Sequence, residues 1–161
     1  MVQMEVGPSR SRLTGKTRGA HAPRNRREEV GKLFQDKRCA TMLPASDLER
    51  AKSWYADHFD LKPTYEDPSG VQYQAGGGTE FWVYPSQFAG TNQATAMGFL
   101  ADDLSAEMNE LKSRGITFEE YDIPGVKTVE GIAEFDNGER AAWFKDSEGN
   151  IISLFESPRY K

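Results

Sequence analysis

The sequence predicts an α+β domain made of two βαβββ modules, and three observations carry that prediction. Ala45-Ser-Asp-Leu48 recurs as Ala101-Asp-Asp-Leu104, 56 residues later, which marks a duplicated supersecondary unit. Each copy opens a stretch with apolar residues at helical spacing. Each helix then runs into strand-like segments with a Thr or acidic edge, Pro63-Thr-Tyr-Glu66 and Ile116-Thr-Phe-Glu119, separated by Gly, Pro and Asp turns. One such unit has too little core to be secure alone, so pairing two lets both sheets bury their inner faces.

The elements follow in order. Cys39-Ala-Thr-Met-Leu43 is a short apolar strand ending at Pro44, which cannot donate to a ladder. Ser46-Asp-Leu-Glu49 reads as a capping box that opens a helix with Leu48, Ala51, Tyr55 and Phe59 on one face and Trp54 beside them. Strands are expected at Leu61–Glu66, Val71–Ala75 and Thr79–Tyr84, with turns at Asp67-Pro-Ser-Gly70 and Gly76-Gly-Gly78. That glycine run is a hairpin turn, since neither a helix nor a Gly-Lys-Ser/Thr step follows it. In the second copy, Ala94–Ala101 is a strand and Asp102 or Asp103 caps a helix carrying Leu104, Met108 and Leu111. Gly115 stands where that helix should end. Strands at Ile116–Tyr121, Glu139–Lys145 and Asn150–Glu156 complete the copy. The stretch 123–136, with Pro124-Gly125 and Val129-Glu-Gly131, is longer than a hairpin needs; it is either a lid or a surface excursion.

Charge separates the chain into two physical objects. Residues 1–38 carry a net charge of +6 and residues 39–161 a net charge of −11. Residues 1–37 read as a disordered basic tail, because Gly, Pro, Ser and Arg offer too little apolar surface to offset ordering entropy. A short helix around Glu28–Phe34 is the one exception its pattern allows. The tail fits a basic arm, a targeting peptide or a plain solvated extension, and it lacks the aromatics that stack bases. The domain is expected over 38–161, with modules 38–86 and 93–158. No apolar run is long enough to span a bilayer, and no apolar stretch follows the basic start as in a secretory signal. Cys39 is the only cysteine, which excludes an intrachain disulfide and suits a reducing, cytoplasmic setting. With no second Cys or nearby His to activate it, Cys39 reads as a buried structural residue.

Ser46-Asp-Leu-Glu-Arg-Ala-Lys-Ser-Trp-Tyr55, Ala101-Asp-Asp-Leu104 and Trp143-Phe-Lys-Asp-Ser-Glu-Gly-Asn150 together resemble the vicinal oxygen chelate superfamily, the glyoxalase, bleomycin-resistance and extradiol dioxygenase group. The last segment is similar to that family's Phe-x-Asp-Pro-x-Gly-Asn hairpin, with Ser147 in place of Pro. The resemblance covers the chain from about Cys39 to Pro158. It implies a cup of curled mixed sheet with helices on its outer face. In metal-dependent members, His or Glu side chains on the first and fourth strands of each module hold a divalent ion, which acts as a Lewis acid. Carried onto this chain, those positions fall on Ala40, on or near Ala96, on Ser153 and near Trp82, with Glu80 within a register shift. Alanine offers no donor atom, the indole nitrogen only donates, and a lone hydroxyl is a poor ligand. His21 lies in the tail, and His58 is expected on a solvated helix face. The expectation is a chain with neither the family's metal centre nor another cofactor.

What remains is a ligand cup. Along the strands, Glu80, Trp82 and Tyr84 share one face, as do Ile151, Ser153 and Phe155, with Tyr73 and Trp143 on neighbouring strands. Met42, Tyr73, Glu80, Trp82, Tyr84, Trp143, Ser153 and Phe155 are the expected ligand-binding residues. The leading expectation is a binding protein, similar to resistance proteins that sequester a drug unchanged, often as paired chains. The acidic, aromatic body suits a cationic or aromatic small molecule. The alternative is a lyase, isomerase or dioxygenase-like enzyme with Glu80, Glu134 or Asp136 as base and Tyr84 as acid. The acidic body argues against nucleic acid as the partner.

Overall fold

The computed structural model describes residues 34, 35 and 37–160. The chain divides into two units, Met1–Arg38 and Cys39–Lys161, and the second holds the fold described below. The expectations for the tail, including its short helix and His21, lie outside the described residues.

The first module runs β1 (Thr41–Ala45), α1 (Leu48–Phe59), β2 (Tyr65–Asp67), β3 (Gly70–Gln74) and β4 (Glu80–Pro85). Its sheet has the order β1-β4-β3-β2, with β1 parallel to β4 and the other pairs antiparallel. The second module runs β5 (Thr95–Leu100), α2 (Leu104–Ser113), β6 (Asp122–Ile123), β7 (Val126–Val129), β8 (Ile132–Glu134), β9 (Arg140–Lys145) and β10 (Ile151–Glu156). Its sheet has the order β5-β10-β9-β8-β7-β6, again with one parallel pair, β5 with β10. Two mixed sheets and two helices make an α+β fold in which the second module repeats the plan of the first and adds strands at one edge.

Local chemistry explains the element ends. Asp47, not Ser46, caps α1: its side chain accepts the Arg50 N–H at 3.0 Å. The capping box expected one residue earlier does not form, because the Ser46 hydroxyl and N–H both bond Glu148 in the β9–β10 turn. Asp103 caps α2 in the same way through Ala106 N–H. That helix closes with a Schellman pattern. Ile116 N–H reaches Leu111 O at 3.0 Å and Gly115 N–H reaches Lys112 O at 3.0 Å, with Gly115 at φ +93°.

Two expected strands are shorter than their patterns. Leu61–Glu66 pairs regularly only from Tyr65, since Leu61 folds back to close α1 and Pro63 has no N–H to donate. Ile116–Tyr121 makes a single bridge, Phe118 with Phe144, because the same edge of β9 is shared with β8. The 123–136 stretch, expected to be a lid or a surface excursion, has regular structure. It folds into β6, β7 and β8, and buried Thr128 bonds Glu120 and the Tyr121 N–H from within it.

The helix-facing sides of both sheets share one apolar core. Leu43, Tyr55, Tyr73, Phe81 and Val83 from the first module meet Leu104, Met108, Phe144, Ile152 and Leu154 from the second. Large aromatics dominate it: Tyr73 stacks on Phe81 at 5.0 Å, and Phe59 lies edge-on to Phe99 and Phe144 at 5.5 and 5.8 Å. The β9–β10 turn fastens the modules from the outside. Asp146 accepts from the Tyr55 hydroxyl at 3.0 Å and from Asn150, whose amide also donates to Pro44 O at 2.9 Å.

Candidate functional site

Each sheet turns one face away from the helices. On the first sheet, Phe81 and Val83 point into the core, so Glu80, Trp82 and Tyr84 project from the other side. Pairing places Met42 beside Trp82 on β1 and Gln72 beside it on β3. Tyr65, opposite Gln72 on β2, brings its ring to 5.8 Å from the Trp82 ring in an edge contact. Met42 and Tyr65 are 54% and 50% exposed, so this is an open aromatic platform with amide and carboxylate groups around it, not a filled core.

The second sheet has a matching face. Ser153 pairs with Trp143 on one side and Gly98 on the other, while Phe155 pairs with Ala141 and Leu100. The Trp143 indole N–H donates to the Thr95 hydroxyl at 3.0 Å, and its ring meets Tyr121 at 5.5 Å. Gly98 leaves room that no other residue could leave: a Cβ there would lie 2.7 Å from Ser153 Oγ and 3.1 Å from Phe155 Cε1. The glycine therefore keeps Ser153 and Phe155 seated against the β5 backbone.

Seven of the eight expected ligand-binding residues divide between these two faces: Met42, Glu80, Trp82 and Tyr84 on the first sheet, Trp143, Ser153 and Phe155 on the second. Tyr73 is placed otherwise. It alternates with Gln72, is fully buried, and packs on the helix side between Tyr55 and Phe81. Burial pushes its phenol up to about 12. Its hydroxyl has no hydrogen-bond partner among the described residues. Cys39, expected to be buried, is exposed just before β1.

The donor set fits a divalent ion poorly. Ala40 precedes β1, Ala96 sits where the β5–β10 register shifts, and Ser153 faces Gly98. Among the described residues, no three His, Cys, Asp or Glu side chains gather closely enough to hold a metal. The carboxylates weighed as bases do not converge either. Glu80 stands on the first sheet, while Glu134 on β8 pairs with Arg140 at 3.5 Å and Asp136 is exposed in the following turn.

Two features escaped the sequence reading. The first is Glu148, whose side chain is fully enclosed. It accepts from the N–H groups of Ser46 and Asp47 at 2.7 and 3.0 Å and from Arg50 Nε at 2.8 Å. Burial pushes its carboxyl up, but the Arg50 guanidinium and these donors outweigh burial and hold it below the usual range. Asp146 is the reverse case: burial outweighs its donors and raises its carboxyl. The second is a cleft of about 380 Å³ on the helix side, lined by none of the eight expected residues. His58, expected to be solvated, lines it half-buried, with its ring 4.9 Å from Trp54.

Residues 39–154, well over half of the chain, match the model of the Glyoxalase/Bleomycin resistance protein/Dioxygenase superfamily. A search of curated proteins finds no match. Solved structures agree in fold at low identity. A bleomycin resistance determinant encoded on transposon Tn5 is 16% identical with a TM-score of 0.59, covering 76% of this chain and 98% of its own. Lactoylglutathione lyase from Agrobacterium tumefaciens is 20% identical with a TM-score of 0.57, covering 75% and 93%. A glyoxalase/bleomycin resistance protein from Catenulispora acidiphila is 21% identical with a TM-score of 0.56, covering 74% and 97%. With the duplicated module, the parallel β1–β4 and β5–β10 pairs and the two open sheet faces already in place, the chain belongs to the glyoxalase/bleomycin resistance protein/dioxygenase superfamily.

Proposed function

We propose that this chain binds a small molecule on the open faces of its two sheets and does so without the family's metal centre. The observation that carries the reading is the pairing of an aromatic platform on each sheet, Trp82 with Tyr65 and Trp143 with Tyr121, with corner positions occupied by Ala40, Ala96 and Ser153. Aromatic faces with a few polar groups suit flat or cationic organic ligands. The body's net charge of −11 favours a cation. The names of the similar structures include both a resistance determinant and a lyase, and the dispersed carboxylates here support the first kind of role over the second.

The same reading makes the functional form a homodimer, in which a second copy covers platforms left half-exposed in one chain. It places the protein in the cytoplasm, in keeping with its single, unpaired cysteine. No helix among the described residues is long and apolar enough to cross a membrane.

A thermal-shift and calorimetry screen with cationic glycopeptides and aromatic metabolites tests the proposal. A ligand at a hundred times its Kd should stabilise the fold by about 2.7 kcal/mol, be recovered unchanged, and lose its effect in Trp82→Ala or Trp143→Ala. Turnover that appears only on adding nickel or zinc would reverse the reading in favour of an enzyme.

A further inference from the structure

The helix-side cleft is chemically distinct from the open sheet faces. Phe144 and Leu154, which line it, point to the opposite side of the second sheet from Trp143 and Ser153. Its apolar wall is aromatic, with Phe59 edge-on to both Phe99 and Phe144. Its rim comes from α2, where Glu107, Glu110, Leu111 and Arg114 recur at helical spacing along one face.

Charge at that rim is unevenly satisfied. Arg114 is already engaged: its guanidinium donates to Asp60 Oδ2 at 2.6 Å, to Glu110 Oε1 at 2.9 Å and to His58 O at 3.2 Å. This ties the end of α2 to the end of α1 and consumes the only guanidinium lining the cleft. Glu107 accepts the Asp102 and Asp103 N–H groups at 2.9 and 3.4 Å through one oxygen but forms no ion pair among the described residues. Three carboxylates therefore face one guanidinium, and the mouth is net negative. Anions are repelled there. A neutral apolar solute would cover Glu107 without replacing its water.

We infer that the cleft between the C-terminal end of α1 and α2 is a second ligand site, which takes a small organic cation with an aromatic body. The ring packs among Phe59, Phe99 and Phe144, and the ammonium group pairs with Glu107 at the mouth. A cleft of about 380 Å³ lies in the size range of small-molecule sites.

Calorimetry on the full chain tests this with 2-phenylethylamine as the probe and 3-phenylpropionate as its anionic counterpart. The amine should bind saturably, about ten-fold tighter than the acid. Glu107→Gln keeps an oxygen for the Asp102 N–H, so thermal denaturation should be preserved while amine affinity falls about five-fold or more. Leu111→Trp fills the cleft and should abolish amine binding there, whereas Lys127→Ala, at an exposed position on β7, should leave affinity within about two-fold. No saturable binding by the wild type, equal affinity for amine and acid, or an unchanged affinity in Glu107→Gln would overturn the inference. Loss in Trp82→Ala with retention in Leu111→Trp would overturn it too, because the amine would then sit on the open face.

Discussion

Arg50 on α1 and Glu148 in the β9–β10 turn meet as a forked pair, with Nε 2.8 Å from one carboxylate oxygen and Nη2 3.0 Å from the other. They come from opposite modules. Glu148 is enclosed while Arg50 is half-exposed, so the carboxylate has left water and the guanidinium has not. The hydroxyls of Ser46 and Ser147 and two backbone N–H groups at the start of α1 complete the acid's shell. Their orientation also sets its charge against the positive end of the helix.

Removing that carboxylate should therefore cost more than an exposed ion pair would. Glu148→Ala strands the Ser46 and Asp47 donors and opens the turn, with an expected loss of about 2–4 kcal/mol in denaturant unfolding. Arg50→Ala should destabilise less, because both backbone donors remain.

The pH dependence follows from opposite shifts. Glu148 is held below its unfolded value, so its stabilisation is present above the unfolded pKa, about 4.3, and is lost as pH falls through the lower folded value. Asp146 is raised, so its contribution has the reverse slope, falling as pH rises from about 3.9 to its folded value. Melting temperature measured from pH 6 to pH 3 should drop in the wild type, and Glu148→Gln should lose the part of that drop due to Glu148. An identical acid limb in both proteins would show that Glu148 titrates normally.

Trp82 and Tyr73 should separate binding from folding. Trp82→Ala removes half of an exposed platform and should cut ligand affinity while changing stability by about 1 kcal/mol or less. Tyr73→Phe deletes a buried hydroxyl with no hydrogen-bond partner among the described residues. It should leave binding intact and stability equal, or higher by up to about 1 kcal/mol. Chemical denaturation run beside calorimetry reads both quantities.

Gly98→Ala should damage the second open face. The new Cβ would press on Ser153 Oγ and Phe155, costing about 1–3 kcal/mol in overpacking. Ser153→Gly in the same chain removes the closer contact and should restore part of the loss. Additive effects in the double variant, measured by thermal denaturation, would show that the two residues are not in contact.

Much of the architecture was legible because it is written locally. The Asp-Leu step that starts each helix, Gly115 at the end of α2 and the alternation of Phe81 and Val83 with Trp82 are short-range signals. Ile116–Tyr121 carries a strand's alternation, with Ile116 and Phe118 buried, yet its pairing depends on how much of β9 is left uncovered by β8, which no local pattern states. The phase of β3 is similar: Val71, Gln72, Tyr73 and Gln74 alternate cleanly, but only the pairing with β4 decides which side meets the helix. Glu148 was invisible for a stronger reason. Its partners lie about a hundred residues away in sequence, and on its own it reads as one more acid in a turn. The His58 cleft depends on two helix ends converging, and it too has no linear signature.

The metal content of the full chain, purified without chelators and dialysed, tests the central claim most directly. Ala40, Ala96 and Ser153 at the corners of the open faces predict that manganese, iron, nickel and zinc are each present at a small fraction of one ion per chain. A divalent ion retained at close to one per chain after dialysis would contradict the account.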